Sequence, residues 1–550
     1  KDFQIFGLIE EMNSEHIPID ELNLATARLK KKKAPGPDGL TAELYKWLDI
    51  ENRELLLTHL NKCWDNESVE DSMNDADLAT IYKKGQTDFS ENYRPIALLN
   101  ISYKLLAIII HRRLTDHLEG RINKARFGFR KSKSTTQPLF IYRRIQEIQE
   151  ESGTPFHTML LDWEKAFDKV DQKRMITAIK RLGIKEKIAN MIAAIYEGPR
   201  FTVKDGCNTS SKKEQRTGIR QGCPLSPYLF ILLLTVIMHD VYDDLTEEDR
   251  QVVREGTPYK VNLRELFYAD DTLIMTKTAA AAEIILHQIE HESSKYNLKL
   301  NYTKCIHLRM NSLDTIGYVN GQLMPTHADA IYLGGKITAN ANYKKDISHR
   351  IAITWTTVKR LDLLWKKAPV SLKWKLRVYD AVIISKLIYG LETLPLTPQD
   401  CKRIDAFQFR GLRKLLKIKH PYWAKVSGEE PVTNEGLLHT ANTRAQTKQH
   451  NKIIRISERL HQRQVKLYAH LIRADTQDLM KQVSINEDGT RVRAPTRRVG
   501  RPRIKWHAIT RNLVISELIT QNIIPRKWRH IMRDEELDGL IIDAANNRLI

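Results

Sequence analysis

The chain has 550 residues, of which 42% are hydrophobic and 28% are charged. This balance excludes wholesale disorder and gives enough apolar side chains for a large core. The chain carries 88 lysines and arginines against 67 aspartates and glutamates, so its net charge is +21. Such a surplus is typical of proteins that bind a polyanion, either nucleic acid or an acidic membrane surface. Residues 401–550 hold 30 basic and 15 acidic residues and therefore supply most of the surplus.

The sequence indicates neither a membrane span nor a secreted disulfide framework. Its longest apolar run, residues 228–238, is shorter than the ~20 residues that a bilayer-spanning helix needs. The five cysteines are scattered, with no Cys-x-x-Cys pair, which predicts a reducing compartment and no zinc site. Because the chain begins with Lys1 rather than methionine, we interpret it as a fragment or a processed product.

The first part of the chain is predicted to mix helices and strands. Residues 18–33 are amphipathic, and a turn-rich Pro/Gly segment follows them. Two apolar segments around a polar loop at residues 76–99 are typical of a β-hairpin. Residues 100–120 are predicted to form an apolar helix, and residues 157–163 a buried strand that leads into a helix.

The pattern changes to helix alone in the rear of the chain. Between the two regions, the predicted elements are helix 171–198, strand 200–206, helix 224–244, a strand–acidic turn–strand unit at 265–277, helix 279–297 and short strands up to 338. From about residue 343 the pattern is helical to the end, broken by a Pro/Gly/Arg segment at 494–503. The sequence therefore predicts an α+β front followed by an all-helical rear.

Two acidic positions stand where a carboxylate is costly to bury. Asp162 ends the apolar run 159–161, and Asp270 and Asp271 lie between the apolar segments 266–269 and 272–275. A buried carboxylate needs a compensating partner, and no lysine or arginine lies within these runs. Mg²⁺ prefers oxygen ligands, and two such ions can stabilise both oxygens of an in-line phosphoryl transfer.

The simpler interpretation of the acidic pair is a hairpin tip exposed to water. That interpretation would be preferred for an isolated Asp-Asp pair, but the apolar flanks and the second site at Asp162 weigh against it. A turn between Asp270 and Asp271 would make Asp270 the better ligand and Asp271 a second or supporting one.

Several motifs, in the correct order, resemble those of LINE-type reverse transcriptases, the polymerases of non-LTR retrotransposons. The most specific are RQGCPLSP within residues 218–230 and KAFD within residues 160–171, together with FYADD at 267–271. Further similar segments are APGPDG within 31–48, YRPIALLN at 93–100, FGFRKSKST at 127–135 with Arg126 where the family usually has glutamine, YNLKLNYTKC at 296–305 and IYLGG at 331–335.

This resemblance implies a right-hand polymerase, with fingers and an antiparallel-sheet palm followed by an all-helical thumb and C-terminal region. The expected domains are an N-terminal extension and the start of the fingers at 1–80, fingers at 81–157, palm with part of the fingers at 158–338, a helical thumb at 339–450 and a basic helical C-terminal region at 451–550. The closest resemblance covers about residues 31–335.

The resemblance also implies roles for individual residues. Asp162, Asp270 and Asp271 match the catalytic carboxylates, which would bind two Mg²⁺ ions, with Mn²⁺ as an alternative. The residues that match dNTP-binding positions are Lys83, Arg94, Phe167, Gln221 and Lys304. Simpler interpretations stay open: Phe167 as a core aromatic residue, Gln221 as a turn residue, and the cations as a solvated loop.

Nucleic-acid contacts are expected at three places. The residues concerned are Tyr332 and Gly334 in the primer-grip motif, Arg413 and Lys414 in the helical rear, and Arg497, Arg498, Arg501 and Arg503 in the basic segment 491–506. Trp506, Trp528 and Tyr468 offer stacking surfaces near this segment. A nuclear-localisation patch and a solvated linker are the alternatives for it.

The leading hypothesis is an RNA-directed DNA polymerase that extends a primer 3′-hydroxyl with dNTPs on an RNA template. Its partners would be an RNA template, a DNA primer or target and dNTP, without a membrane, in the nucleus with a cytoplasmic ribonucleoprotein stage. We expect no zinc and no endonuclease within the chain; an endonuclease would lie upstream of Lys1. The alternatives are a domesticated, non-catalytic RNA-binding scaffold and an intron maturase-like protein.

Overall fold

The computed structural model describes residues 5–206, 208–258, 263–445, 452–496, 503, 505–525 and 532–550. Within these residues the chain is α+β up to residue 338 and helical from there on, as the sequence predicts. The described strands are β1 (Asp75–Tyr82), β2 (Tyr93–Leu99), β3 (Phe156–Leu161), β4 (Arg200–Asp205), β5 (Asn208–Thr209), β6 (Lys213–Glu214), β7 (Glu265–Tyr268), β8 (Asp271–Thr276), β9 (Ile306–Met310), β10 (Asp329–Tyr332) and β11 (Gly335–Thr338).

Helices surround these strands and make up the rear of the chain. Those of the front are α1 (Ile19–Arg28), α2 (Ala42–Lys46), α3 (Ile50–Asp65), α4 (Asp71–Asn74), α5 (Ile101–Leu118), α6 (Thr136–Ser152), α7 (Ala166–Lys169), α8 (Gln172–Lys180), α9 (Glu186–Ile195), α10 (Ser226–Asp243), α11 (Glu247–Glu255) and α12 (Ala279–Ser294). Those of the rear are α13 (Lys344–Arg360), α14 (Asp362–Lys367), α15 (Leu372–Val378), α16 (Ser385–Ile388), α17 (Pro398–Leu416), α18 (Pro421–Val426), α19 (Asn434–Ala445), α20 (Ile456–Arg473), α21 (Leu479–Gln482), α22 (Trp506–Thr520) and α23 (Asp534–Asn546). Short 3₁₀ turns lie at Ser90–Asn92 and Leu391–Thr393, and a π-helical turn at Tyr379–Ile384.

An antiparallel sheet in the order β7-β8-β3-β9 lies at the centre of the α+β front. Alternate residues of its strands enter two different cores, because successive side chains of a strand point to opposite faces. Met159 and Ile274 pack with α10 and α12, whereas Phe156 and Leu273 pack with α6 and the C-terminal helices. Burial on both faces explains why these strands read as almost continuous apolar runs.

A second sheet, in the order β2-β1-β4-β5 with β6 beside β4, forms the other wall of the front. The predicted hairpin is confirmed: β1 and β2 pair antiparallel from Ala76–Leu99 to Tyr82–Tyr93. However, β1 and β4 run parallel, so this sheet is not purely antiparallel. The long connection between β2 and β4 explains the parallel pairing. It contains α5 to α9 and β3, and it brings the chain back so that β4 runs in the direction of β1.

The C-terminal helices belong to the same core as the central sheet. Trp506 is fully buried, with its ring 4.8 Å from that of Phe140 on α6, and its indole donates to Glu392 O at 2.8 Å. Tyr468 on α20 is also buried, 6.1 Å from the Trp506 ring. The expectation that these two rings stack on nucleic acid is therefore wrong, because they fill the protein core. Trp528 lies outside the described residues.

Ion pairs fix the C-terminal region to the acidic end of α6. Arg491 forms two 2.8 Å hydrogen bonds to Glu151, and Lys505 donates to Glu150 at 2.9 Å. Arg503 lies 3.5 Å from the same Glu150 carboxylate. Three basic residues of the segment 491–506 are thus paired with the protein itself, so they do not form a freely solvated arm.

A third core holds α13–α17, α19 and the start of α20 together around the buried residues Ile383, Ile404 and Leu412. A buried ion pair connects it to the front: Arg143 on α6 donates to Asp346 on α13 at 2.6 Å and also to Gly390 O at 3.0 Å. No helix in the described part of the chain is long and apolar enough to cross a membrane.

Two histidines stack inside the central sheet. The rings of His157 on β3 and His307 on β9 are 5.3 Å apart, Nδ1 of the first lies 3.1 Å from Nε2 of the second, and both side chains are fully buried. Burial, together with the neighbouring His157, lowers the pKa of His307 to about 4. Protonation of this ring is therefore disfavoured in the folded state.

We expect Trp506→Ala to lower the free energy of unfolding by about 3–5 kcal/mol, because the substitution leaves a large cavity in a packed core. Trp47→Ala is the matched control, since Trp47 is 74% exposed and should change the free energy of unfolding by less than about 0.5 kcal/mol. Urea unfolding followed by circular dichroism measures both. Equal unfolding midpoints for the two variants would contradict the shared core.

We expect the free energy of unfolding to fall on acidification because His307 is buried in its neutral form. Its pKa is about 4 in the folded protein and about 6.5 in an unfolded chain, so between these values the unfolded state binds more protons. The stabilisation is complete above pH ~6.5 and is lost as the pH falls to ~4, by up to about 3 kcal/mol. Urea midpoints between pH 4.5 and 7 should fall less steeply for His307→Gln than for the exposed control His439→Gln; parallel slopes would refute the assignment.

Candidate active site

A cavity of about 920 Å³ lies between the two sheets and collects most of the predicted site residues. Its walls include the predicted catalytic and nucleotide-binding residues Lys83, Arg94, Asp162, Phe167, Gln221, Asp270 and Lys304. Asp271 is the predicted site residue of this group that does not line it. Positions more than 200 residues apart in sequence are thus brought together as the motifs predict.

Asp270 is carried by a tight turn between β7 and β8, as the sequence predicts. Tyr268 pairs with Asp271, and Ala269 adopts a left-handed conformation with φ of +59°. The segment 125–128 lies against this turn: Phe127 N–H donates to Phe267 O at 2.8 Å, and Phe267 N–H donates to Ala125 O at 2.9 Å. A β-carbon at Gly128 would overlap the amide nitrogen of Ala269, so only glycine permits this approach.

Asp162 follows β3 directly, one residue beyond the pairing of Leu161 with Thr272 on β8. Its backbone carbonyl accepts a 2.8 Å hydrogen bond from Asn301 N–H. Its carboxylate lies 3.7 Å from the ammonium group of Lys304, and both side chains remain about half exposed. The strand register therefore brings Asp162 beside the acidic turn, with Lys304 at its edge.

Burial and neighbouring charges raise the pKa of both Asp270 and Asp271. Surrounding protein atoms desolvate Asp270 and raise its pKa, the charge of Asp162 adds to this, and Arg94 and Lys83 act in the opposite direction. For Asp271, desolvation followed by the charges of Asp270 and Asp162 raises the pKa to about 6. Grouped carboxylates with shared negative charge are a donor set that suits a hard divalent cation.

A metal site here would be completed by groups other than protein side chains. The residues that the structure describes hold no ready cluster of three or more His, Cys, Asp or Glu at metal-binding range. Mg²⁺ is commonly held by one or two carboxylates, with water and substrate phosphates as its remaining ligands. Asp162 and Asp270 on one cavity wall fit that requirement.

Phe167 and Gln221 form the wall beside the carboxylates. The ring of Phe167 packs on Phe230 with 4.7 Å between centroids while it also lines the cavity, so the residue is both a packing and a wall residue. Gln221 Nε2 donates to Asp168 Oδ1 at 2.9 Å, and the backbone carbonyl of Gln221 accepts a hydrogen bond from Ala97 N–H at 2.6 Å. This segment thereby joins α7 to β2.

Two cations extend from the β1–β2 hairpin into the same cavity. Lys83 and Arg94 are exposed and line it together with Lys84. Within the described ranges, neither Lys83 nor Arg94 has a salt-bridge partner in the protein. Unpaired cations across a cavity from carboxylates suit a ligand that carries phosphates and a metal.

Two of the residues predicted to bind nucleic acid, Tyr332 and Arg413, are buried. Tyr332 is buried against Tyr142, and Arg413 is buried and donates to Val432 O and Asn434 Oδ1 at 3.1 Å. Both predictions are wrong, because these side chains serve the core and a helix junction. Gly334 lies in the β10–β11 turn with φ of +75°. The adjacent Leu333 carbonyl accepts a 3.1 Å hydrogen bond from the Tyr389 hydroxyl.

The remaining basic positions stay predictions. Lys414 pairs with Asp362, and Arg503 donates to Asn340 O at 2.6 Å. Arg497, Arg498 and Arg501 lie outside the described residues.

Sequence reasoning missed two contributors to the site. Asn301 lines the cavity and positions Asp162 through its backbone N–H; its place three residues before Lys304 was the available signal. The indole of Trp163 donates to Thr272 Oγ1 at 3.1 Å and fixes the strand carrying Asp162 to the one after the acidic turn. Side-chain pairing of this kind leaves no signal in a single sequence.

Comparison with known proteins gives a family for this part of the chain. Residues 81–331 match the family model described as reverse transcriptase (RNA-dependent DNA polymerase). The RNA-directed DNA polymerase from the mobile element jockey of Drosophila funebris is 25% identical over 423 residues, which cover 73% of this chain and 44% of that protein.

Two further relatives come from other animals. The retrovirus-related Pol polyprotein from the type-1 retrotransposable element R2 of Popillia japonica is 24% identical over 405 residues, 70% of this chain and 53% of that protein. The transposon TX1 uncharacterized 149 kDa protein of Xenopus laevis is 25% identical over 302 residues, 54% of this chain and 22% of that protein. The chain spans about half the length of these relatives, or less. Residues 81–331 therefore match the reverse transcriptase family, and the chain is similar to proteins named as an RNA-directed DNA polymerase of a mobile element and a Pol polyprotein of a retrotransposable element.

Proposed function

We propose that this chain is an RNA-directed DNA polymerase that extends a primer 3′-hydroxyl with dNTPs on an RNA template. The observation that carries the proposal is the 920 Å³ cavity in which Asp162 and Asp270 share walls with the unpaired cations Lys83 and Arg94. Such an arrangement can bind a triphosphate at one end and a metal-bound reacting phosphate at the other.

The carboxylates of Asp162 and Asp270 would hold divalent cations, with Asp271 in support, and Mg²⁺ is the ion expected. The bound ions would activate the primer hydroxyl and neutralise charge on the reacting phosphoryl group. Asp162 directly follows β3 and Asp270 directly precedes β8, and the pairing of these two strands holds the two carboxylates at a fixed separation. This preorganisation is the protein's part in a reaction that depends on positioning and electrostatics.

The other cavity residues would orient the nucleotide. Lys83 and Arg94 would neutralise the triphosphate, because a lysine point charge and an arginine fork both suit phosphate oxygens. Phe167, held by Phe230, would limit the space beside the sugar and so disfavour a 2′-hydroxyl. Gln221, fixed by Asp168, would form the floor near the templating base. Lys304, beside Asp162, would assist departure of pyrophosphate.

The parts of a right-hand polymerase can be proposed on this fold. The central four-stranded sheet would be the palm, the β1–β2 hairpin would belong to the fingers, and α13–α19 would form the thumb. The C-terminal region from 451 onward would be a buttress of the palm, since it shares a core with α6 and the sheet.

RNA template, DNA primer or target, and dNTP are the proposed partners. The net charge of +21 supports binding to nucleic acid. The jockey relative is named as an RNA-directed DNA polymerase of a mobile element, and the R2 relative as a Pol polyprotein of a retrotransposable element. Nuclear localisation with a cytoplasmic ribonucleoprotein stage stays a prediction.

Asp270→Asn combined with Asp271→Asn should reduce primer extension on an RNA template by about 10³-fold or more, since the charges that hold the metal and the reacting phosphate are removed. Asp314→Asn is the matched control, because this aspartate is 65% exposed beyond the far end of β9. Labelled dNTP incorporation is measured on primed RNA and on primed DNA, and RNA retention on filters reports folding.

The outcome separates the proposed enzyme from a non-catalytic scaffold. An enzyme loses incorporation in the double variant while filter binding persists. A wild-type protein that binds RNA without incorporating dNTP, or a double variant that incorporates at the wild-type rate, would contradict the proposal.

Arg94→Ala should raise KM for dNTP about tenfold or more and change kcat less, because it removes a charge-assisted contact to the triphosphate. Lys173→Ala is the control, since Lys173 is an exposed cation on α8 outside the cavity. Steady-state primer extension with varied dNTP concentration measures both parameters. An unchanged KM in the Arg94 variant would refute its place in nucleotide binding.

A further inference from the structure

A second cavity of about 480 Å³ lies behind the central sheet. It is bounded by residues from the N-terminal segment, the α5–α6 connection, α10, α11 and β7, and none of its lining residues lines the candidate active site. Its volume is within the range of small-molecule sites, which is about 300–1,000 Å³. The function proposed above leaves this cavity without a role.

A buried arginine with unsatisfied hydrogen-bonding capacity lines this cavity. Arg126 is 2% exposed, and its Nη2 donates to Leu234 O at 2.9 Å. Its Nε and Nη1 atoms are buried without a hydrogen-bond partner in the described structure. An arginine in this state is costly unless a further acceptor is supplied.

The wall holds three arginines, Arg121, Arg126 and Arg250, against the two acids Asp243 and Glu265, which leaves one positive charge in excess. Arg121 donates to the backbone carbonyl of Gly7 at 2.7 Å and Arg250 to that of Asp243 at 2.6 Å. Arg250 also lies 3.9 Å from the exposed carboxylate of Glu247. Glu265 is the buried acid of the wall and accepts from Tyr242 Oη at 3.0 Å and from Asn123 Nδ2 at 3.3 Å. Burial raises the pKa of Glu265, and the charge of Arg126 acts in the opposite direction.

Apolar side chains complete the wall. Phe6, Met238 and Tyr242 line the cavity beside the arginines, and the Phe6 ring lies 5.3 Å from the Arg121 guanidinium. A mostly apolar lining with a few convergent charged groups is what sites for small organic ligands have in common. A bare inorganic ion would leave this apolar surface without a contact.

We propose that this rear cavity binds a small organic oxyanion, a phosphate monoester or a carboxylate with a compact apolar body. The anionic group bonds to Arg126 and Arg250, and the apolar body contacts Phe6 and Tyr242. The site stands behind β7, the strand whose end carries the acidic turn. The Arg126 guanidinium lies 4.1 Å from the Phe267 ring of that strand.

The test is isothermal titration calorimetry of the whole chain with phenyl phosphate, benzoate and the neutral benzyl alcohol. Binding of one or both oxyanions without binding of the alcohol supports the site, and the stronger of the two identifies the anionic group. Absence of oxyanion binding, or equal binding of the alcohol, overturns the proposal.

Matched variants assign the binding to this cavity. Arg250→Gln is expected to weaken oxyanion binding about tenfold, because a hydrogen bond to a charged group is lost. Arg254→Gln on the same helix α11 is the control, since Arg254 is exposed, bonds to Gln251 and does not line the cavity. Equal affinities of these two variants would refute the assignment.

A second pair of variants excludes the nucleotide cavity as the source of binding. Lys83→Ala combined with Arg94→Ala should leave the affinity for phenyl phosphate unchanged, whereas loss of binding in that variant would place the ligand in the wrong cavity. Arg126→Gln should abolish binding while circular dichroism stays native. Should that variant fail to fold, the comparison of Arg250 with Arg254 decides.

Discussion

The close approach of Gly128 to the acidic turn is the constraint on which the candidate site depends. Because Gly128 has no β-carbon, residues 125–128 can pass beside Ala269 and hydrogen-bond to both the backbone N–H and the backbone C=O of Phe267. That contact closes the rear of the turn, so that Asp270 is held toward the first cavity. It also puts Arg126 behind the sheet, in the wall of the second. One backbone contact therefore lies between two cavities that share no lining residue.

The register of the central sheet places Asp162 beside the acidic turn. Antiparallel pairing of β3 with β8 fixes Asp162 next to the turn, and the Trp163–Thr272 hydrogen bond holds the two strands at that level. Asp162 and Asp270 line the candidate site together with the cations Lys83, Arg94 and Lys304. The net charge of the chain conceals this local pattern, because the residues proposed to carry the chemistry are acids in a chain with a basic surplus.

Local pattern was sufficient to predict the strands and the acidic turn, whereas most of the residues that meet in the cavity were predicted from the resemblance to LINE-type reverse transcriptases. Runs buried on both faces, such as residues 157–161, have a sequence signature, and the motifs fix their order along the chain. The misjudged residues share another property, since their partners are distant in sequence. Trp506 packs on Phe140, and Tyr332 packs on Tyr142. Arg413 also resembles a surface cation until its bonds across the helix junction are seen. The parallel pairing of β1 with β4 is equally invisible to local pattern.

The shared core of the C-terminal helices and the central sheet has a consequence for synthesis of the chain on the ribosome. The face of the sheet formed by Phe156, Leu273 and Leu308 is covered in part by α22 and α23, which are translated more than 190 residues after the last strand of that sheet. An apolar sheet face thus stays uncovered while the rear helices are being made, and such surfaces aggregate or recruit chaperones. Premature termination after Asp271 and before Trp506 would release a nascent chain that has every predicted catalytic residue and an incomplete core.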